Sequence, residues 1–307
     1  MSSTDGLAAE FTAHRPHLLG VGYRLTGSLA DAEDAVQEAW LRLAGLTDAG
    51  RAGIADLRAW LTTVVGRICV DKLRSAAVRR ERYVGSWLPE PLVTELSGDG
   101  KNPLDLVVRD DGVRMAALVV LDRLSPPQRV AFVLHDAFGV PFGEIAELLG
   151  SSVQAARQHA TRARRAVADA DPPARSVRAE QQEVLSRFLA AMATGDVRAV
   201  LELLHPDAVL LGDSDGKAKT AFQTISGADK VARFILGLQT RYGAESFTAM
   251  RFVLVNGELG MYFPAWAGDA EHPPFDRRVF GVTIHDGRLS ALYDMVNPDK
   301  LTRVERP

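Results

Sequence analysis

The stretch from Pro141 to Val167 constrains the fold of this chain more than any other segment. Its pattern predicts a short amphipathic helix from Phe142 to Leu149 and a second helix from Val153 to Val167. Between them Gly150 permits the positive φ angle that a tight turn needs. The segment is therefore predicted to be a helix-turn-helix.

The second helix of this motif has two different faces. Apolar residues recur at helical spacing on one face, at Val153, Ala156, Ala160, Ala163 and Val167. The opposite face carries Gln154, Arg157, Gln158, Thr161, Arg162 and Arg165, and no carboxylate occurs between Ser151 and Ala168. Such a face combines base-reading and phosphate-binding side chains. The alternative is an ordinary helical hairpin with a solvated, arginine-rich face.

Length and composition set the limits of the interpretation. With 307 residues the chain is long enough for two or three domains. The single cysteine, Cys69, excludes an intramolecular disulfide and a cysteine-based zinc cluster. The net charge of -3 means that DNA binding must come from local basic faces. Neither a signal peptide nor a membrane span is predicted, so we expect a cytoplasmic protein.

Three helices are predicted before residue 85. The first runs from Phe11 to Leu25, and Ser28 caps the second, Leu29 to Leu43. The second helix exposes a mostly acidic face formed by Asp31, Asp34, Gln37, Glu38 and Leu41. The third begins near Asp56 and ends in a basic cluster that includes Arg67, Lys72, Arg74, Arg79 and Arg80. An acidic face can simply be solvated, and basic residues at a helix C-terminus also complement the helix dipole.

Three stretches in this order resemble regions 2 and 4 of extracytoplasmic-function (ECF) sigma factors: DAEDAVQEAWLRL, DLRAWLTTVVGRICVDKLRS and LSPPQRVAFVLHDAFGVPFGEIAELLG. The resemblance implies that the chain contacts the β′ clamp and the β flap of core RNA polymerase, with the acidic face on the β′ clamp. It also implies that the basic cluster holds the -10 promoter element, with cations along the phosphates. Residues Gln154, Arg157, Gln158, Thr161 and Arg162 would read the -35 element, and Arg164 and Arg165 would contact phosphate.

The connection between the two sigma regions is predicted to be a linker. Ser86 to Leu92 is interrupted by prolines, and Ser97 to Pro103 reads as a flexible segment. Trp87 and Leu88 are apolar for a linker and are expected to pack on another part of the chain. Beyond it, we predict a helix from Leu104 to Leu124, a cap at Ser125, and a helix that stops at Gly139.

The composition of the C-terminal part predicts a different fold. The order is a helix from Val177 to Thr194, a short helix capped by Asp196, a strand from Ala208 to Gly212, a helix from Gly227 to Leu238 and two hairpins. The hairpins turn at Asn256-Gly257 and Asp286-Gly287, which suit type I′ turns. This order resembles the SnoaL-like cone, a curved antiparallel sheet with helices.

The predicted fold class is therefore multidomain, with two all-α helical sigma domains followed by an α+β SnoaL-like cone. The predicted boundaries are 1–85 for sigma region 2, 86–111 for the linker, 112–171 for the region 4 helix-turn-helix and 176–307 for the cone.

Enzymes with the cone fold place an acid or base inside it. The candidates here are His205, Asp213, Asp215, His285 and Asp294, and we interpret each as structural or solvated because no pair stands out as acid and base. We therefore expect no catalytic residue, cofactor or metal. Two alternatives remain open: an active isomerase, cyclase or hydrolase, and a sensor of a small ligand.

Sigma factors with a fused SnoaL-like extension form a group that this chain resembles at three motifs. They are WLPEP from Trp87, DSDGK from Asp213 and NPDKL from Asn297; the second departs from the group's Asp-Gly-Gly-Gly-Lys at Ser214 and Asp215. The resemblance implies regulation in cis by Trp87, Leu88, Pro89, Asp213, Asp215, Gly216, Lys217, Asn297, Pro298, Asp299 and Lys300. The expected partners are core RNA polymerase and promoter DNA, with an unknown small ligand possible in the cone and no membrane.

Overall fold

The computed structural model describes residues 3–80, 83–96, 107, 111–170 and 172–304, and of residues 3–5, 76–80 and 111 only the backbone. Contacts divide the chain into two compact units. The first contains the helices up to residue 80, residues 111–113 and residues 117–170. The second contains residues 83–96, 114–116 and 173–304. Of the two predicted linker segments, Ser86–Leu92 thus belongs to the second unit, and Ser97–Pro103 lies outside the described residues.

The first unit begins with the helices α1 (Ser3–Thr26), α2 (Leu29–Ala44), α3 (Asp48–Ala52) and α4 (Leu57–Arg80). Ser28 caps α2 as predicted, since its hydroxyl accepts from the Asp31 amide at 3.2 Å. The helices α1 and α2 cross closely, because a Cβ at Gly22 would lie 2.9 Å from Ala32. The short helix α3 was not predicted.

The second group of helices in this unit carries the helix-turn-helix. A 3-10 turn at Asp111–Val113 precedes α5 (Met115–Asp122), so within the described residues the predicted helix from Leu104 to Leu124 is interrupted. Next come α6 (Pro126–Phe132), a π-helical turn (Val133–Ala137), α7 (Phe142–Leu149) and α8 (Val153–Ala170). Ser125 and Gln128 form a capping box at the start of α6.

The two groups of helices pack directly on each other inside the first unit. Leu134 lies against Gly66 of α4, where an added Cβ would meet its side chain at 3.1 Å. Arg129 is 1% exposed, donates to the Arg24 carbonyl at 2.9 Å and pairs with Asp122 at 3.1 Å. The two groups of helices therefore share one interior in this structure.

The second unit is a seven-stranded sheet with helices packed on it. The helices are α9 (Arg178–Thr194), α10 (Val197–Leu203) and α11 (Ala228–Tyr242). The strands are β1 (Val93–Thr94), β2 (Leu204–Asp213), β3 (Ile225–Ser226), β4 (Arg251–Val255), β5 (Glu258–Phe263), β6 (Arg278–His285) and β7 (Arg288–Met295), in the order β1-β4-β5-β6-β7-β2-β3. The predicted α+β fold is confirmed, although β2 pairs with β7 in parallel.

Both predicted hairpin turns have the expected geometry. Asn256 and Gly257 have φ angles of 54° and 80°, and Asp286 and Gly287 have φ angles of 51° and 68°. Positive φ at both central positions is the requirement of a type I′ turn. These turns fix the registers of β4 with β5 and of β6 with β7.

One edge of the sheet is formed by a segment that was predicted to be linker. In β1, Val93 pairs with Val255 and Thr94 with Leu254. The Leu92 amide donates to the Asn256 side chain at 3.1 Å, and the Asn256 amide donates to the Leu92 carbonyl at 2.8 Å. No helix in the described part of the chain is long and apolar enough to cross a membrane.

Candidate nucleic-acid interface and a cluster of three motifs

The helix-turn-helix is built as its sequence predicts. Gly150 adopts φ 61° at the end of α7, and the Ser151 amide donates to the Ala146 carbonyl at 2.9 Å. Ala156, Ala160 and Ala163 of α8 are fully buried, which lets α8 pack closely. The buried part of the predicted apolar face is shorter than expected, because at its two ends Val153 is 41% exposed and Val167 is half-buried.

The residues predicted to read the -35 element share one property, which is exposure to solvent: Gln154, Arg157, Gln158, Thr161 and Arg162. The Arg157 guanidinium lies 5.8 Å from the centre of the Phe142 ring, which restrains it near the start of the motif. The Thr161 hydroxyl donates to the Arg157 carbonyl at 2.9 Å. The polar face of α8 is thus presented to solvent along its length.

The two arginines predicted to bind phosphate differ in their surroundings. The Nε and Nη2 atoms of Arg164 donate to one oxygen of Asp136 at 2.9 and 2.7 Å. Arg165 is 85% exposed and lies 3.7 Å from Asp169. Arg164 is therefore held in an ion pair within the fold, which its spacing on α8 did not indicate, and Arg165 is the more available of the two.

The basic residues of α4 that are predicted to hold the -10 element also differ in their surroundings. Lys72 donates to Asp31 at 2.9 Å and to Asp34 at 3.2 Å, two residues of the predicted polymerase face. Partial burial works against the charged form, but the two carboxylates raise the pKa of Lys72 above its usual value. Arg67 is exposed, and Arg74 lies 3.6 Å from Asp71. The side chains of Arg79 and Arg80 lie outside the described residues.

The rest of the predicted polymerase face remains exposed. Gln37 and Glu38 face solvent, and Glu38 pairs with Arg42 at 2.5 Å. Leu41 is 61% exposed, whereas Leu29, Val36 and Leu43 of the same helix are buried. The face therefore combines an apolar residue with polar neighbours.

Within the second unit the three motifs of the sequence meet in one place, which we call the three-motif cluster: residues 83–89, 213–217 and 297–300. Asp213 lies at its centre and is fully buried. Its carboxylate accepts from the Tyr83 hydroxyl, the Leu88 amide at 2.5 Å and Lys300 Nζ at 2.7 Å. Its backbone carbonyl accepts from the amides of Val296 and Asn297 at 2.9 and 3.0 Å.

Lys300 joins the tail to the other two motifs. Its Nζ atom donates to the Leu88 carbonyl at 2.5 Å as well as to Asp213. The same atom lies 4.1 Å from the Trp87 ring centre and 5.0 Å from that of Tyr83. A cation held over two aromatic faces and paired with a buried carboxylate is strongly fixed.

The loop of the second motif closes the cluster. Asp215 and Gly216 have φ angles of 51° and 70°, and Gly216 lies against the Val84 side chain. Asp215 accepts from the Val84 amide at 3.3 Å, and Lys217 pairs with both Asp215 and Asp299.

The remaining residues of the tail motif and the linker motif complete these contacts. Asn297 donates to the Tyr83 hydroxyl at 2.7 Å and caps the 3-10 turn Pro298–Lys300. Pro89 is buried. Every residue that the resemblance assigned to regulation thus lies in the three-motif cluster.

Tyr83 is the cluster residue that sequence reasoning missed. Burial, and then the adjacent Asp213 carboxylate, raise the pKa of the Tyr83 hydroxyl well above its usual value. Tyr83 precedes WLPEP and belongs to none of the three motifs. Its aromatic side chain, four positions before Trp87, was the one sequence feature that could have indicated its role.

The acid and base candidates of the cone are accounted for by structural contacts or exposure. Asp213 and Asp215 belong to the three-motif cluster. Asp294 pairs with Arg278 at 3.3 Å and accepts from Thr220 at 2.5 Å; burial raises its pKa, and these partners oppose the rise. The rings of His205 and His285 stack 5.6 Å apart at the partly exposed end of β2 and β6.

Comparison with known proteins identifies the family. Residues 11–79 match Sigma-70 region 2, and residues 114–167 match Sigma-70 region 4. The ECF RNA polymerase sigma factor SigJ of Mycobacterium tuberculosis is 55% identical over 302 residues, which cover 96% of this chain and 93% of SigJ. The chain belongs to the ECF sigma factors.

Two further comparisons agree with this sigma-factor assignment. The probable ECF sigma factor SigI of M. tuberculosis is 34% identical and spans 98% of this chain and 97% of its own. The crystal structure of M. tuberculosis SigJ has 52% sequence identity and a TM-score of 0.81, covering 96% of this sigma factor and 98% of that chain. The predicted function, promoter-specific initiation of transcription, is confirmed at the level of the family.

Proposed function

We propose that this sigma factor docks on core RNA polymerase through α2, reads the -10 and -35 elements through α4 and α8, and is regulated in cis by its C-terminal unit. Acting on core polymerase, it would work in the cytoplasm. The observation that carries the regulatory part is the buried Asp213, which ties the linker motif and the tail motif together.

The exposed faces of α8 and α2 support the binding part. Side chains on α8 that can contact bases in the major groove are solvated, with Arg165 toward the end of the helix for phosphate. On α2 the exposed Leu41 beside Gln37 and Glu38 offers the apolar centre and polar rim typical of a protein interface.

The packing inside the first unit supports a restrained state. The Thr63 hydroxyl of α4 donates to Glu144 of α7 at 2.7 Å, and Gly66 of α4 is covered by Leu134. The α4 helix would grip the -10 element while α8 grips a separate element. We therefore infer that these contacts break when the factor engages a promoter.

The three-motif cluster would control that separation. Residues 83–94 belong to the chain that connects the two sigma modules, and the structure binds them to the C-terminal unit through Asp213, Lys300 and the edge of the sheet. While residues 83–94 are bound to the C-terminal unit, the free part of the connection is shorter, and this limits how far the two sigma modules can move apart.

A catalytic role for the cone has less support. Asp213 is bonded to Lys300 and Asp294 to Arg278, and a base held in an ion pair inside the fold is poorly placed to accept a substrate proton. We therefore propose that the chain is not an enzyme.

Transcription in vitro with core polymerase tests the regulatory proposal. The full chain is compared with chains that end near Asp171 and at Val296, and a chain that ends at Val304 serves as the control. We expect the Val296 end to change transcript yield about as much as removal of the whole unit, because Asn297 and Lys300 are lost. Equal yields from all four chains would contradict regulation in cis.

A further inference from the structure

The C-terminal unit contains a cavity of about 230 Å³ between α9, α11 and the sheet. Its wall is almost entirely apolar and includes Phe188, Met192, Ile235, Met261, Phe263 and Phe280. Among the described residues of the wall, Arg278 on β6 is the one that carries a charge, and Gln239 and Tyr242 supply the other polar groups. An apolar cavity with a few polar groups at defined positions is the usual design of a site for a small molecule.

The Nε atom of Arg278 is a hydrogen-bond donor that no described residue uses. Arg278 is 5% exposed, its Nη1 atom pairs with Asp294 at 3.3 Å and its Nη2 atom donates to the Lys219 carbonyl at 3.2 Å. Its Nε atom is buried, and no acceptor for it exists among the residues that the structure describes. A buried donor without an acceptor is unfavourable and indicates a missing partner.

The charge balance around Arg278 selects the chemistry of that partner. The Asp294 carboxylate already pairs with the guanidinium, so a second anion would place two negative charges at one buried site. A neutral carbonyl oxygen accepts a hydrogen bond without that repulsion.

The size of the cavity limits the rest of the molecule. An apolar protein cavity of about 150 Å³ holds a benzene molecule. A cavity of 230 Å³ therefore fits a compact molecule of about ten carbon atoms.

We propose that the cone binds a compact, neutral, apolar carbonyl compound, whose carbon skeleton fills the cavity and whose oxygen accepts from the Arg278 guanidinium. Binding would also affect the three-motif cluster through the residues that contact Arg278. Asp294, the partner of Arg278, also accepts from Thr220 at 2.5 Å, three residues after the Asp213–Lys217 loop. Asp294 also lies two residues before Val296, whose amide donates to the Asp213 carbonyl. This regulatory consequence rests on the function proposed above, whereas the binding itself does not.

The full chain can be tested with 1-tetralone, a ten-carbon bicyclic ketone. Tetralin serves as the hydrocarbon control and 1-naphthoate as the anionic control. We expect saturating 1-tetralone to raise the unfolding temperature of the C-terminal unit by about 3 °C, with smaller effects of the two controls. The absence of stabilisation by 1-tetralone, or equal stabilisation by tetralin, would overturn the proposal.

Two variants locate the site. Leu238→Trp places a larger side chain in the cavity wall and should abolish the shift, whereas Leu236→Trp, two residues away on α11 and outside that wall, should retain it. Arg278→Met should weaken 1-tetralone binding about tenfold and leave tetralin binding unchanged. A shift that survives Leu238→Trp would contradict the assigned cavity, even if Arg278→Met fails to fold.

Transcription with core polymerase separates this proposal from the earlier one. Binding of 1-tetralone without any effect on transcript yield would leave the site intact and refute its regulatory coupling. Cis-regulation that depends on the three-motif cluster, with no binding of any probe, would refute the ligand site alone.

Discussion

The polar face of α8 and the three-motif cluster use similar residue types in opposite ways. On α8 the side chains of Arg157 and Arg162 are exposed and solvated. In the cluster, Asp213 is fully buried and Lys300 is half-buried, and the two are bonded to each other and to the backbone. Charges kept for an external partner add little to stability, whereas charges paired inside the fold are costly to remove singly. Substitutions on α8 should therefore impair promoter use, whereas substitutions in the three-motif cluster should reduce stability.

The largest effect is expected for Asp213→Asn. The change leaves the half-buried Lys300 cation without its carboxylate and should destabilise the C-terminal unit by about 3–5 kcal/mol. Urea unfolding of the full chain measures the loss. Asp207→Asn, which changes an exposed carboxylate on β2, is the matched control and should have little effect. Equal midpoints for the two variants would remove the distinction between buried and exposed charges.

Lys300→Met should have the next largest effect. The methionine keeps an apolar stem beside Trp87 and Tyr83, and Asp213 retains the Tyr83 and Leu88 donors. We expect a loss of about 2–3 kcal/mol, together with a change in tryptophan emission because the cation leaves the Trp87 ring. Lys230→Met at an exposed position of α11 provides the control. Unchanged emission and stability would mean that Lys300 does not hold the cluster.

Arg157→Ala should give the reverse pattern, with normal stability and impaired promoter use. If Arg157 reads a base, its loss should reduce discrimination at one position of the -35 element by about 1–3 kcal/mol. Competition between promoters with single changes in that element measures the loss. Arg187→Ala, at an exposed position of α9, should leave discrimination intact. A uniform loss across all promoters would indicate a phosphate contact instead.

A smaller effect is expected at His17, which is less exposed than the polar face of α8 and less buried than Asp213. Burial, and then the adjacent Arg58, lower the pKa of the ring from 6.5 to about 4. The unfolded chain gains a proton near pH 6.5 while the folded chain does not. The contribution to stability is therefore present above pH 6.5 and is lost as the pH falls toward 4.

Because the His17 ring is only partly buried, we expect solvent screening to limit that loss to about 1 kcal/mol. Denaturation of the wild-type chain and of His17→Gln at pH 7 and pH 5 measures it. The variant should show a smaller loss between the two pH values, and identical pH dependence would exclude a role for His17.

Local signals in the sequence were enough to predict several elements. The bounds of α7, the left-handed Gly150 and both type I′ turns follow from residues next to each other in the chain. The meeting of WLPEP, DSDGK and NPDKL could be expected only from the family resemblance, because these motifs are far apart in sequence.

What could not be predicted depends on tertiary contacts. A strand as short as Val93–Thr94 has no periodicity, and only its pairing with β4 defines it. The Lys72 and Arg164 ion pairs join separate helices, so the family resemblance that marked both residues as DNA contacts did not indicate their partners.

The edge strand β1 has a consequence for how far the sigma modules can reach. Residues 83–94, which include β1 and its approach, would return to the connecting chain if they left the C-terminal unit. An extended chain spans about 3.3 Å per residue, so release of residues 83–94 would lengthen the connection between the two DNA-binding modules by about 40 Å. The detachment of these residues would thereby increase the promoter spacing that a single molecule can bridge.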